Sequence, residues 1–167
     1  MRHLLHSLLV VLALWASLGR GAHGQEAAYT LTQLGAIGKS LAAEKCYRPV
    51  EVKTSFIPNP RNREVADEML SFDCRTFHVA IYRSLSASPA KEMPMSVVLE
   101  GAHPLAGGAW AVGAAAASVR SVLGSPLRVF GENLVYSLSP ARPGQDTLTF
   151  EVSKGIVEAV SWSWEVD

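Results

Sequence analysis

What this sequence is short of narrows it first. Only two cysteines occur, Cys46 and Cys74, and they stand neither in C-x-x-C spacing nor beside paired histidines, which excludes a thioredoxin-like redox motif and a zinc site of ordinary spacing. An excess of charge of either sign is also lacking: 15 Lys and Arg face 15 Asp and Glu, so no net field draws nucleic acid or an anionic membrane. No apolar run reaches the roughly 20 residues of a spanning helix, and the longest, from about Leu8 to Leu18, is about half that. Gly107-Gly108 lacks the Lys-Ser/Thr that completes a phosphate loop, and no G-x-S-x-G elbow is present. Met93 and Met95, beside Val97-Val98, read as core filler rather than soft-metal ligands. No cofactor and no metal is expected.

What is there begins with an address. Arg2 supplies a basic start, the Leu8–Leu18 run an apolar centre, and Ala22-His23-Gly24 a small-residue exit, the order of a secretory signal peptide over residues 1–24. Gly19, Arg20 and Gly21 end the run sharply, and no cysteine at the exit offers a lipid anchor. Removal of the segment takes away Arg2 and Arg20 but no acid, leaving 13 basic against 15 acidic side chains over residues 25–167. That length suits one globular domain with one core. The expected location is periplasmic or secreted, with no membrane span after cleavage. His3, His6 and His23 leave with the segment, so His78 and His103 are the only histidines a mature site could use.

In an oxidising compartment an even pair of cysteines bonds, so Cys46 and Cys74 are read as a structural disulfide. Between them, β-prone runs at Pro49–Ile57 and Met69–Arg83 flank the turn-rich Pro58–Arg63, which predicts a hairpin. Pairing centred near Pro60 would set Cys46 opposite Cys74. Closing this loop stabilises by roughly 3 kcal/mol in the loop-entropy treatment. Upstream, Leu31, Leu34, Ile37 and Leu41 recur at helical spacing across Thr30–Lys45, with Gln33, Lys39, Ser40 and Glu44 on the other side. Gly35 and Gly38 each weaken such a helix by about 1 kcal/mol, so it needs a sheet to pack on.

Beyond the hairpin, Leu85–Glu92 reads as a connector and Met95–Glu100 as a strand. Ala114–Leu123 predicts a short helix with Val119, Val122 and Leu123 as its apolar stripe, Gly124 as its cap and Pro126 as its stop. Three strands follow at Asn133–Leu138, Thr147–Val152 and Ile156–Val166, the last two joined at Ser153-Lys154-Gly155. The expected fold class is therefore α+β: an amphipathic N-terminal helix, a disulfide-linked hairpin, then a short helix packed on an antiparallel meander.

Val112-Gly113, Val119, Leu123-Gly124-Ser125-Pro126, Leu134-Val135-Tyr136, Leu148-Thr149-Phe150 and Gly155-Ile156-Val157 together resemble the SmpA/OmlA and β-lactamase-inhibitor-protein-like repeat. In that pattern a glycine opens a helix ending in Leu-Gly-x-Pro, a Tyr-bearing strand follows, and a hairpin turns on glycine. The resemblance covers the last third of the chain. It implies a small exported module that acts by binding other proteins, in outer-membrane assembly or as an inhibitor.

Trp162 and Trp164, two apart on a strand, share a face with Val160 and Val166. That face is either the sheet's inner side, packing on the Val119 helix, or an exposed aromatic anchor of the kind interfaces use. Together with Arg61 and Arg63 in the first hairpin, the two tryptophans are the candidate partner-binding residues. The functional expectation is a non-enzymatic, exported domain that binds another envelope or extracellular protein, as an inhibitor, an immunity protein or an assembly accessory. A small periplasmic hydrolase and a carrier of a small apolar ligand are the alternatives. The leader gives the first test: mass spectrometry of the exported protein should find its N-terminus at or near Gln25, and an intact Met1 in the membrane fraction would refute the cleavage.

Overall fold

The computed structural model describes residues 27–165 apart from 29 and 47, so the leader expected over 1–24 lies outside the described residues. A helix, α1, covers residues 30–44. Four strands follow, β1 (Glu51–Pro58), β2 (Ala66–Asp73), β3 (Phe77–Ser84) and β4 (Lys91–Leu99). A 3-10 turn at Gly108–Trp110 leads to a second helix, α2 (Ala116–Leu123), and then to β5 (Arg128–Phe130), β6 (Asn133–Ser137), β7 (Thr147–Ser153) and β8 (Ile156–Ser163). All eight strands form one antiparallel sheet in the order β1-β2-β3-β4-β8-β7-β6-β5. Each half is thus a helix followed by a four-stranded meander, and the last strands of the two halves, β4 and β8, pair at the centre.

The α+β arrangement expected from the sequence is overturned by this sheet. The hairpin and the meander are not separate units, because β4 and β8 join them through Ser96–Ser163, Val97–Trp162, Val98–Ser161 and Leu99–Val160. Met69–Arg83, read as one strand, is two. Arg75 adopts a positive φ of 68°, and its N–H donates to Asp73 Oδ1 at 3.1 Å while the Cys74 N–H reaches Phe77 O at 2.9 Å, which reverses the chain between β2 and β3. β-prone residues on both sides of this four-residue turn hide it from a propensity reading. The first hairpin also turns later than Pro60: Glu51 faces Asp73, where centring on Pro60 would give Met69. β5, too short to register as a strand, closes on β6 through Gly131, whose φ of 59° a β-carbon would strain.

The register explains the core. Val52, Phe72, Val79, Val97, Trp162, Leu148 and Tyr136 lie directly opposite one another across seven strands. Phe77, Leu99, Val160, Phe150, Leu134 and Val129 form a second apolar row beside it. Both helices cover this side, α1 through Leu34, Leu41 and Ala42 and α2 through Val119 and Leu123, all within one buried cluster. Each large side chain fully buried there contributes about 1.5–3 kcal/mol.

Trp162, with no exposed surface, sits at the middle. Its Nε1–H donates to the Leu34 carbonyl of α1 at 2.8 Å. The helix comes this close because residue 38 has no side chain: a β-carbon on Gly38 would stand 2.5 Å from Trp162 Cδ1. The C-terminal end of α1 is held twice more. Cys46 is bonded to Cys74 in the β2–β3 turn, with Cα atoms 5.7 Å apart. Lys45 pairs with Glu92, which pairs with Arg83 at 2.7 Å, which pairs with Glu68 at 3.0 Å, a chain of alternating charge running from the helix across β4 and β3 to β2. Lys45 and then Arg83 hold the Glu92 carboxyl below its ordinary pKa.

Gly38→Ala should therefore invert the usual helix rule. Alanine gains about 0.8–1 kcal/mol over glycine inside an unobstructed helix, whereas here overpacking should cost about 1–3 kcal/mol. Urea unfolding, with tryptophan emission followed alongside, measures both the loss and the shifted indole.

Candidate functional site

The side of the sheet away from the helices is set by the same alternation. Lys53, Ser71, Ala80, Ser96, Ser163, Thr147 and Ser137 stand opposite one another in a single row across seven strands. Six of these are small, so the row forms a floor about 24 Å long at ~4.8 Å per strand. Beside it runs Glu51, Asp73, His78, Val98, Ser161, Thr149, Val135 and Arg128. The helices pack on the opposite side of the sheet, and clefts open on this one at Ser71, Ala80, Ser96 and Ser163.

One end of the floor is a cleft of about 300 Å³ whose lining includes Ser71, Ala80 and Ser96 below and Asp73 and His78 at the side. His78 is held between two carboxylates, Nδ1 at 3.6 Å from Asp73 Oδ1 and Nε2 at 3.2 Å from Glu100 Oε2. Both ring nitrogens are thereby turned to carboxylates, which fixes the plane of the ring. Among the described residues no serine or threonine hydroxyl is hydrogen-bonded to it, so the geometry supplies no activated nucleophile. No group of three or more His, Cys, Asp or Glu side chains is placed to share a metal ion among the described residues.

The other side of the floor is bounded by an arch, residues 59–65, between β1 and β2. Asn59 builds it: its N–H donates to Val65 O at 2.9 Å, and its Oδ1 accepts the backbone N–H groups of Arg61 and Asn62 at 2.8 and 2.9 Å. Its Nδ2 donates to Asp67 Oδ2 at 2.6 Å. Asp67 is fully enclosed, yet the Tyr82 hydroxyl above all, then the Leu85 N–H and Asn59, outweigh desolvation and hold its carboxyl below the ordinary range. The same bond, with burial, pushes the Tyr82 phenol up. Pro60 and Tyr82 form a wall shared by two clefts. One, about 370 Å³, is also lined by Arg61 and Lys91; the other, about 610 Å³, by Met95, Gln145, Ser163 and Trp164. Gln145 Oε1, in the larger cleft, is buried without a hydrogen-bond partner.

The residues singled out from the sequence fall on different parts of this surface. Arg61 and Arg63 are exposed on the arch. Trp162 is buried under α1 and presents nothing to the outer face, while Trp164, 8% exposed, lends an edge to the larger cleft. His103 lies apart, its ring edge-on to Phe77 at 5.4 Å. Asn59, Asp67 and Tyr82 were missed; the only local signal was Asn59 between two prolines. Compared with known proteins, the chain matches no family model, no curated protein and no solved structure.

Because Asp67 ionises more readily folded than unfolded, its contribution to stability is complete above the unfolded carboxylate value near pH ~4 and is lost as pH falls through the lower folded value. Asp67→Asn places a donor where Asn59 and Leu85 need an acceptor. It should lower the urea midpoint at pH 7 and flatten its fall between pH 5 and 2; an unchanged acid limb would show that the arch does not depend on this carboxylate.

Proposed function

We propose that the protein is an exported, non-enzymatic binding domain that receives a segment of another envelope or extracellular protein on the bare face of its sheet. The observation that carries this reading is the row of small residues, six strands long, with clefts opening at Ser71, Ala80, Ser96 and Ser163, bordered by His78 and its carboxylates on one side and by the Tyr82 arch on the other. Small floor residues let a partner's backbone or side chains approach closely. The border provides what interfaces use for anchoring: an aromatic edge, methionines and the arginines of the arch. The Cys46–Cys74 bond supports an oxidising compartment, and no helix among the described residues is long and apolar enough to cross a membrane.

A second reading rests on His78 between Asp73 and Glu100, an arrangement suited to general acid–base chemistry on a ligand held over Ser71 and Ser96. It is the weaker reading because both ring nitrogens of His78 already face carboxylates, Asp73 and Glu100.

A photo-crosslinking residue at Ser96, on the floor, should trap one protein in the native envelope, and the same residue at Gln33, on the exposed side of α1, should not. With the crosslinker kept at position 96, Ser71→Arg in the same row should abolish that adduct while leaving the thermal melt unchanged. Arg61→Ala with Arg63→Ala should weaken the isolated complex by about 2 kcal/mol or more if the arch is a hot spot. Adducts from position 33 alone would refute the assignment of the face. Turnover by the purified domain that disappears in His78→Ala would establish the acid–base reading instead.

A further inference from the structure

Among the described residues the sheet has a long free edge. β1 is the outermost strand, eight residues with its second row of backbone groups facing no other strand of the sheet, and it is exposed along almost its whole length. An edge of this kind is normally blunted by proline, by a short length or by a cover. Here the prolines stand only at the ends, Pro49 before the strand and Pro58 as its last residue, so residues 50–57 are unobstructed. Three of the chain's exposed large apolar side chains are on this edge: Val50 at 62%, Val52 at 50% and Phe56 at 69%. By alternation all three lie on the helix side, where the helices do not extend far enough to cover them.

We infer that β1 pairs antiparallel with β1 of a second copy of this chain, joining the two sheets into one of sixteen strands. The strand is complementary to itself, and its charges select the register. A two-fold axis normal to the sheet keeps each face continuous, so a residue must fall on it. Lys53 on the axis would oppose two lysines, which is destabilising. Val52 on the axis would bring Pro49 inside the ladder and set Phe56 against Arg48. Thr54 on the axis avoids both: Val52 of each copy meets Phe56 of the other, Val50 meets Pro58, and Lys53 meets Ser55. Each of the three exposed apolar residues then faces another apolar residue. Lys53 keeps its own partner, Glu51, at 2.9 Å on the face away from the helices. β5, the opposite edge, has three residues and offers too short a ladder to compete.

Sedimentation velocity of the mature protein across the micromolar range should show a monomer–dimer equilibrium. Val52→Lys with Phe56→Lys should raise the dimer dissociation constant at least about tenfold, one Val52–Phe56 contact being lost on each side of the axis. Register is read separately, in the otherwise native chain. Thr54→Cys should give a disulfide-linked dimer under mild oxidation, and Lys53→Cys should not. A protein that stays monomeric throughout with a native circular dichroism spectrum overturns the inference. So does a dimer that forms equally well in the lysine variant, or one that cross-links through position 53 in preference to 54. If the lysine variant fails to fold, the Thr54 and Lys53 cross-links decide alone.

Discussion

The fold depends on one close approach, that of the α1 backbone to the Trp162 ring. An indole buried without a partner for its N–H would cost free energy, and the Leu34 carbonyl removes that cost at 2.8 Å. The approach is possible only where the helix has no β-carbon, so a residue that weakens α1 as a helix is what seats it. Trp162 in turn lies between Val97 and Leu148, which makes the same contact the join between the two halves of the sheet. The disulfide at Cys46 and the charge chain that begins at Lys45 then hold the helix end where this contact places it.

Much of this was legible in the sequence, and what was not shares a physical cause. The 3.6 spacing of Leu31, Leu34 and Leu41, the Gly124 cap and the alternation of Leu148, Phe150 and Val152 are local patterns, and they identified α1, α2 and β7. The cysteine pair was legible from count and context. The Asp73–Thr76 turn was not, because four residues between two apolar runs leave no propensity minimum. The pairing of β4 with β8 was not either, since it joins residues more than sixty positions apart and nothing in Met95–Glu100 names its neighbour.

The candidate site shows the same division more sharply. Ser161-Trp162-Ser163-Trp164 announces a strand with serines on one side, but that Ser163 continues a row through Ser96, Ala80 and Ser71 is a property of register, not of any segment. Arg61 and Arg63 were singled out because a charged turn is visible locally, and the structure places both exposed on the arch. Asp67 was invisible for the opposite reason: its three donors come from Asn59, Tyr82 and Leu85, and only the folded chain brings them within reach.

The position of β8 has a consequence for how the molecule comes into being. A chain emerges from the ribosome N-terminal end first, and by the time β4 has been made the first half could form only a sheet with a raw edge where its centre should be. Until residues 156–163 arrive, α1 has no indole to rest on and Val97 and Leu99 have no neighbour on one side. The native core is therefore completed only by the final strand, so a chain truncated before residue 156 lacks the contact on which both α1 and β4 rest.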